Sequence, residues 1–132
     1  MKTNLSMYLS FQGNAAEVMD FYSKTFMVAR QIMKYSDAPG GNDIPGFDDK
    51  VMHGELIFNG HNLMFCDTPH DDHVIGSNFA LTYHSADHNE LRRIFDALSN
   101  GGEVHMELEK TFFADLYGMV TDKFGISWNL MG

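Results

Sequence analysis

Asn14-Ala15-Ala16-Glu17-Val18 and its echo Asp87-His88-Asn89-Glu90-Leu91 decide how this chain folds. Each begins with a residue suited to capping a helix N-terminus and carries a glutamate three positions on, where a capping box needs it. The offsets agree, since 87 − 14, 90 − 17 and 91 − 18 all equal 73. Val18, Phe21, Tyr22 and Thr25 then give the first helix one buried face, and Leu91, Ile94, Phe95 and Leu98 give the second its own. Gly101-Gly102 supplies the left-handed stop that ends the second helix. Matched caps and matched faces point to an internal duplication.

Strand-like segments flank both helices. Leu5 to Phe11 precedes the first; Ala29 to Tyr35, Val51 to Phe58 and Asn62 to Asp67 follow it. Asn59-Gly60 between two apolar runs is a strong hairpin signal. Around the second helix the same order returns: Asn78 to Tyr83, then Glu103 to Leu108, Tyr117 to Thr121 and Ile126 to Met131. The turn glycines differ by 125 − 60 = 65, eight short of 73, so the first module carries an insertion. Ser36 to Lys50, with Pro39-Gly40-Gly41 and Pro45-Gly46, reads as that loop, a candidate lid. The order is β-α-β-β-β twice.

Composition sets the limits. With 132 residues the chain has room for one domain, or for two half-size modules sharing one core. Hydrophobic residues at 44% suffice for that core, and charged residues at 20% are too few for disorder. A net charge of −9 repels phosphate backbones and anionic headgroups, so neither nucleic acid nor a membrane is an expected partner. No apolar run approaches a membrane span, and the first residues lack the apolar stretch of a secretory signal. The single cysteine, Cys66, fits a reducing compartment, and the expected location is cytoplasmic.

In Tyr8-Leu9-Ser10-Phe11-Gln12-Gly13-Asn14-Ala15, His53-Gly54-Glu55-Leu56, Leu63-Met64, Asp67 and Tyr117-Gly118 with Asp122, Phe124-Gly125 and Trp128, the chain resembles the vicinal oxygen chelate superfamily. That group includes glyoxalase I, bleomycin-resistance proteins and extradiol dioxygenases, and the likeness is to its PhnB-like branch. The resemblance implies an α+β fold over residues 1–132 as one domain, with module 1 at about 1–72 and module 2 at about 75–132. The two βαβββ modules would curve into a sheet cup with helices on the convex side. It also implies a homodimer, and a cup that commonly holds a divalent metal through His and Glu on the first and fourth strands of each module. Carried over residue by residue, those positions fall at Met7, at Asn78 or Phe79, at Met64 or Phe65, and at Asn129. Thioether, phenyl and neutral amide groups are poor partners for such ions, so no metal ligand and no cofactor is expected by the usual route.

His53 and Glu55 are the candidate catalytic residues. Two apart on a strand, they share a face opposite Met52, Leu56 and Phe58. A carboxylate beside an imidazole can fix its tautomer and poise it as a base. Met7, Phe11, Phe65, Phe79 and Asn129 are expected to line the cup as substrate-binding residues, with Phe113 and Tyr117 closing one end. His70-Asp71-Asp72-His73 reads as a solvated linker cluster, His105 as part of a polar sheet face, and Cys66 as a buried inert thiol. Neither a phosphate cradle nor an S-adenosylmethionine-type glycine loop is present. The leading expectation is a protein that binds a small, partly apolar molecule without the usual metal. A divalent-metal-dependent lyase, isomerase or dioxygenase using His53 and Glu55 is one alternative. A resistance protein that sequesters a drug or toxin without turnover is the other.

Overall fold

A computed structural model describes residues 3–132 of the protein. The chain divides into two units, the first running through His73 and the second from Val74 to Gly132. The first contains β1 (Met7–Phe11), α1 (Ala15–Phe26), β2 (Ala29–Lys34), a short 3-10 turn (Tyr35–Asp37), β3 (Val51–Phe58) and β4 (His61–Asp67). The second contains β5 (Leu81–His84), α2 (His88–Ser99), β6 (Glu103–Glu109), β7 (Tyr117–Thr121) and β8 (Ser127–Met131). Each unit is one four-stranded mixed sheet, in the orders β1-β4-β3-β2 and β5-β8-β7-β6. The first strand of each runs parallel to the fourth, and the other pairings are antiparallel. The βαβββ order expected from the sequence is therefore present twice. The helices begin 88 − 15 = 73 and end 99 − 26 = 73 residues apart.

One sheet face in each unit packs on its helix. Val18, Met19, Tyr22 and Phe26 of α1 are buried with Phe11, Leu56 and Phe65, and the Tyr22 and Phe65 rings lie 6.1 Å apart. Leu91, Ile94, Phe95 and Leu98 of α2 are buried with Val120, Trp128 and Leu130. Burying a large apolar side chain contributes about 1.5–3 kcal/mol, so these faces drive assembly of each layer. Gly54 lets Met19 sit directly on β3, because a Cβ there would stand 2.5 Å from the Met19 sulfur.

The helix starts differ from expectation in an instructive way. The Asn14 side chain makes no capping bond. The Asp67 carboxylate, at the end of β4, takes that role: Oδ1 accepts from the Gly13 and Ala15 amides, and Oδ2 from the Val51 amide. Asp87 caps α2 as its sequence implies, accepting from the Asn89 and Glu90 amides. The Glu90 carboxylate turns instead to the Tyr83 and Ser85 hydroxyls. Partners outside the local box thus replace the Asn14 cap at α1 and engage the Glu90 arm at α2.

Strand phase is the main correction. Alternation in β1 buries Phe11 and puts Met7 and Leu9 on the same, helix-facing side, leaving Tyr8 and Ser10 on the other. Phe65 is fully buried beside Phe11 and Tyr22. Met7, Phe11 and Phe65 therefore belong to the core layer, one residue out of phase with the lining expected of them. Because side chains alternate with period two, a one-residue error moves the whole set to the wrong face. Phe79 departs for another reason. β5 begins at Leu81, which pairs with Trp128 one residue inside β8, so Asn78 to Ala80 lack ladder partners. Phe79 lies before the strand and is 73% exposed.

The Ser36 to Lys50 loop is tied down by its own bonds. The Tyr35 and Ser36 amides donate to the Lys50 and Asp48 carbonyls, and Asn42 bonds both Ile44 and Asp48. Tyr35 packs edge-on against Phe47 and donates its hydroxyl proton to the Asp67 carbonyl.

Candidate functional site

The face of the first sheet turned away from α1 carries the chemistry. Register sets its rows: Tyr8 lies beside Met64, Met64 beside Glu55, and Glu55 beside Gln31. His53 stands opposite Met33. The Tyr8 hydroxyl is 3.0 Å from His53 Nδ1, and the two rings are 5.7 Å apart. His53 Nε2 is 3.8 Å from Glu55 Oε2, while Asn62 Nδ2 donates to Glu55 Oε1 at 3.4 Å. His53 and Glu55 thus share a face, as their spacing implies, and stand about one-third exposed, at 38% and 29%.

Tyr8 is the member that sequence reasoning missed. The signal for it was parity: with Phe11 in the core, Tyr8 must face the same way as His53. Burial, reinforced by the Cys66 thiol, pushes its phenol above the ordinary tyrosine value, so it keeps its proton through the neutral range. It can therefore donate to His53 Nδ1, holding the imidazole and leaving Nε2 directed toward Glu55. In the other tautomer His53 donates to Tyr8 and Nε2 becomes a free lone pair, available as a base.

Cys66 lies half-buried on the same strand face beside the Tyr8 hydroxyl. Burial pushes its thiol up, outweighing the lowering by Tyr8, and Asp67 raises it further. A thiol held protonated is a weak nucleophile.

The second unit repeats the scaffold but not these groups. Its corresponding row is Thr82, Asn129 and Met119, by offsets of 82 − 8 = 74, 129 − 64 = 65 and 119 − 55 = 64. Where the first unit has tyrosine, thioether and carboxylate, the second has hydroxyl, amide and thioether. Asn129 lies in a depression of about 620 Å³ together with Phe79, Glu103, His105, Thr121 and Ser127. His105 Nε2 is 2.8 Å from Thr121 Oγ1, which is 3.1 Å from Ser127 Oγ. Phe113 does not join this group. It lines a separate shallow hollow with His84, Lys110 and Met131, and packs edge-on against Tyr117 at 4.9 Å.

A divalent ion needs a convergent set of donors. His53 and Glu55 make two, and among the described residues no group of three or more His, Cys, Asp or Glu comes together. The first face adds only hydroxyls, amides and the Cys66 thiol, and the depression of the second offers Glu103 and His105, again two, beside hydroxyls and an amide, a poor set for such an ion. The His73 ring is engaged elsewhere, its Nε2 meeting the Ser10 carbonyl, while the Gln12 side-chain amide donates to the His70 backbone carbonyl. Among the described residues, no helix is long and apolar enough to cross a membrane.

Comparison with known proteins agrees with this architecture. YjdN of Escherichia coli (strain K12) is 31% identical over 137 residues, covering 94% of this chain and 91% of that protein. Among solved structures, PA1353 from Pseudomonas aeruginosa superposes with a TM-score of 0.86 at 28% identity, covering 98% of this chain and 97% of that one. The PhnB protein from Bacillus cereus gives 0.80 at 26% identity, covering 98% of each. A family model described as 3-demethylubiquinone-9 3-methyltransferase matches residues 3–131. On two βαβββ units of the vicinal oxygen chelate type, the chain belongs to that family.

Proposed function

We propose that this protein is a PhnB-like binder of a small, partly apolar molecule, held on the open face of the first sheet without the superfamily's divalent metal. The observation that carries this reading is the Tyr8–His53–Glu55 row, with the Tyr8 hydroxyl 3.0 Å from His53 Nδ1. It sets a phenol, an imidazole and a carboxylate beside thioether and thiol surface from Met64 and Cys66. A few convergent polar groups on apolar surface is the usual make-up of a small-molecule site. Tyr8 and His53 would hold a polar atom of the ligand, and Met64 would meet its apolar part. The residues do not support methyl transfer, the activity in the matched family's description. The turns that lead into the helices, Gln12-Gly13-Asn14 and Ser85-Ala86-Asp87, are too short and too poor in glycine to cradle adenosylmethionine. A homodimer in a cytoplasmic setting completes the proposal, on the family likeness.

A fragment library screened by amide NMR against the full chain tests the reading. Hits should shift resonances of Tyr8, His53, Glu55 and Met64 together, and His53→Ala should weaken them. Hits scattered over the surface would sink it. Dialysis against Zn²⁺ or Mn²⁺ separates the metal-dependent alternative: one equivalent of retained ion, lost in His53→Ala, would replace the metal-free proposal. For a ligand so identified, Glu55→Gln should leave affinity unchanged in a sequestering protein. An acid–base enzyme would keep binding and lose turnover.

A further inference from the structure

Three soft donors converge over the middle of the first sheet. β4 lies between β1 and β3, so the Tyr8–His53 bond passes over the side chains that stand up from β4. Phe65 and Asp67 are buried, which leaves Met64 and Cys66 on the open face beneath that bond. Met64 stands beside Tyr8 and Glu55; Cys66 stands beside Ser10 and, one step on from the Gly54–Phe65 pair, opposite His53. The Tyr8 hydroxyl bonds the Cys66 sulfur as well as His53 Nδ1, so thiol and imidazole meet at one point. Across an antiparallel pair such as β3–β4, facing Cβ atoms stand about 4.5–5.5 Å apart and diagonal ones about 7–8 Å, within reach of histidine and methionine side chains. All three donors are open to arrival from solvent, for His53 is 38% exposed and Met64 and Cys66 are half-buried. The donor set says what would arrive. Thiolate and thioether select Cu(I), and imidazole suits copper as well. Zinc wants four ligands in a tetrahedron, and harder ions want oxygen. Charge agrees, since one thiolate with Cu(I) is neutral on this partly buried face, whereas a divalent ion would leave a net charge there.

We infer that the first sheet binds one Cu(I) ion through Cys66 Sγ, Met64 Sδ and His53 Nδ1. The thiol releases its proton to solvent as the copper–sulfur bond forms, and copper stays in the +1 state. Tyr8, 47% exposed, turns its hydroxyl from the two donors to water. A soft monovalent ion lies outside the small-molecule reading above. The two share His53 and Met64, but this one turns on Cys66 and leaves Glu55 out.

The test titrates the full chain with Cu(I) under argon, with bicinchoninate as a coloured competitor. One equivalent should bind and release about one proton at pH 7.5. Cys66→Ser should leave the ion with the competitor. Met64→Leu and His53→Ala should each weaken binding by about tenfold or more, a cost that loss of even an outer-shell partner can reach. Met33→Leu should change nothing, because Met33 faces His53 from β2, on the side away from β4. Tyr8→Phe removes a competitor for both donors and should bind at least as tightly. With methyl-labelled methionine, Cu(I) should shift the Met64 methyl and leave the other nine of the ten methionines unmoved. Circular dichroism checks that each variant folds. If Cys66→Ser releases the ion while Met64→Leu and His53→Ala hold it unchanged, the ion sits on a lone thiol and the site is overturned. An unmoved Met64 methyl overturns it too. Fragment shifts at Tyr8, His53 and Glu55 that survive in Cys66→Ser would keep the small-molecule reading when this one fails.

Discussion

Replacing Asp67 should cost this protein a large part of its stability, and the size follows from three bonds. The residue is 1% exposed, and its carboxylate accepts the Gly13, Ala15 and Val51 amides, each at 2.9 Å. It joins the end of β4 to the start of α1 and the start of β3, and it sits where the helix N-terminus favours negative charge. A hydrogen bond to an ionised group contributes about 1.5–3 kcal/mol, so three would total about 4.5–9 if independent. Water entering the vacated space would satisfy part of the loss, which places Asp67→Ala near ~3–5 kcal/mol. That is a third or more of the total for many domains of this size. Asp67→Asn is the sharper variant. Its amide oxygen can keep the Gly13 and Ala15 bonds, while its NH2 faces the Val51 donor, so it should lose about 1.5–3 kcal/mol. Equilibrium urea unfolding at pH 7, followed by circular dichroism with unchanged m-values, reads both. A loss below about 1 kcal/mol for the alanine variant, or equal losses for the two, would refute the argument that these three bonds organise the first unit.

Other outcomes follow from single positions. Burial, with its bond to Glu90, pushes Tyr83 up to about 12. The unfolded chain releases that proton near pH 10 and the folded one does not, so stability should fall between pH 10 and 12 and be unaffected by this group below pH 10. Tyr83→Phe should flatten the slope by up to one proton, measured as urea midpoint against pH. Met27, 76% exposed, ends α1 at φ +55°, so Met27→Gly should stabilise by about 0.5–1 kcal/mol in thermal unfolding. Gly54→Ala should destabilise by about 1–3 kcal/mol, because its Cβ would meet the Met19 sulfur at 2.5 Å; a neutral result would show that Met19 swings away freely. Cys66 should alkylate with iodoacetamide more slowly than glutathione at pH 7.5 and gain rate as pH rises, since burial holds its thiol above the ordinary range.

The helix pair was legible from local signals alone, because caps and apolar periodicity are properties of neighbouring residues. Val51 to Phe58 and Tyr117 to Thr121 appear where their alternation places them. So do His53 and Glu55 on one face, opposite Leu56, for a spacing of two in a strand admits no other arrangement. The capping boxes were misread because Asp67 and Tyr83, distant in sequence or on another element, compete for the same donors and acceptors.

By itself, then, the sequence determined a duplicated βαβββ scaffold, its helices and the shared side of His53 and Glu55. Only tertiary structure decided what stands beside them. The parallel β1–β4 register brings Tyr8 to Met64 and its hydroxyl to His53, while sending Met7, Phe11 and Phe65 into the core. The β5–β8 register leaves Phe79 outside the sheet and sets Asn129 in a polar depression with its oxygen unpaired. Strand phase across a parallel pair depends on which residues meet across 63 − 7 = 56 positions of chain in the first unit and 128 − 81 = 47 in the second, a long-range choice made by core packing, and no local pattern encodes it.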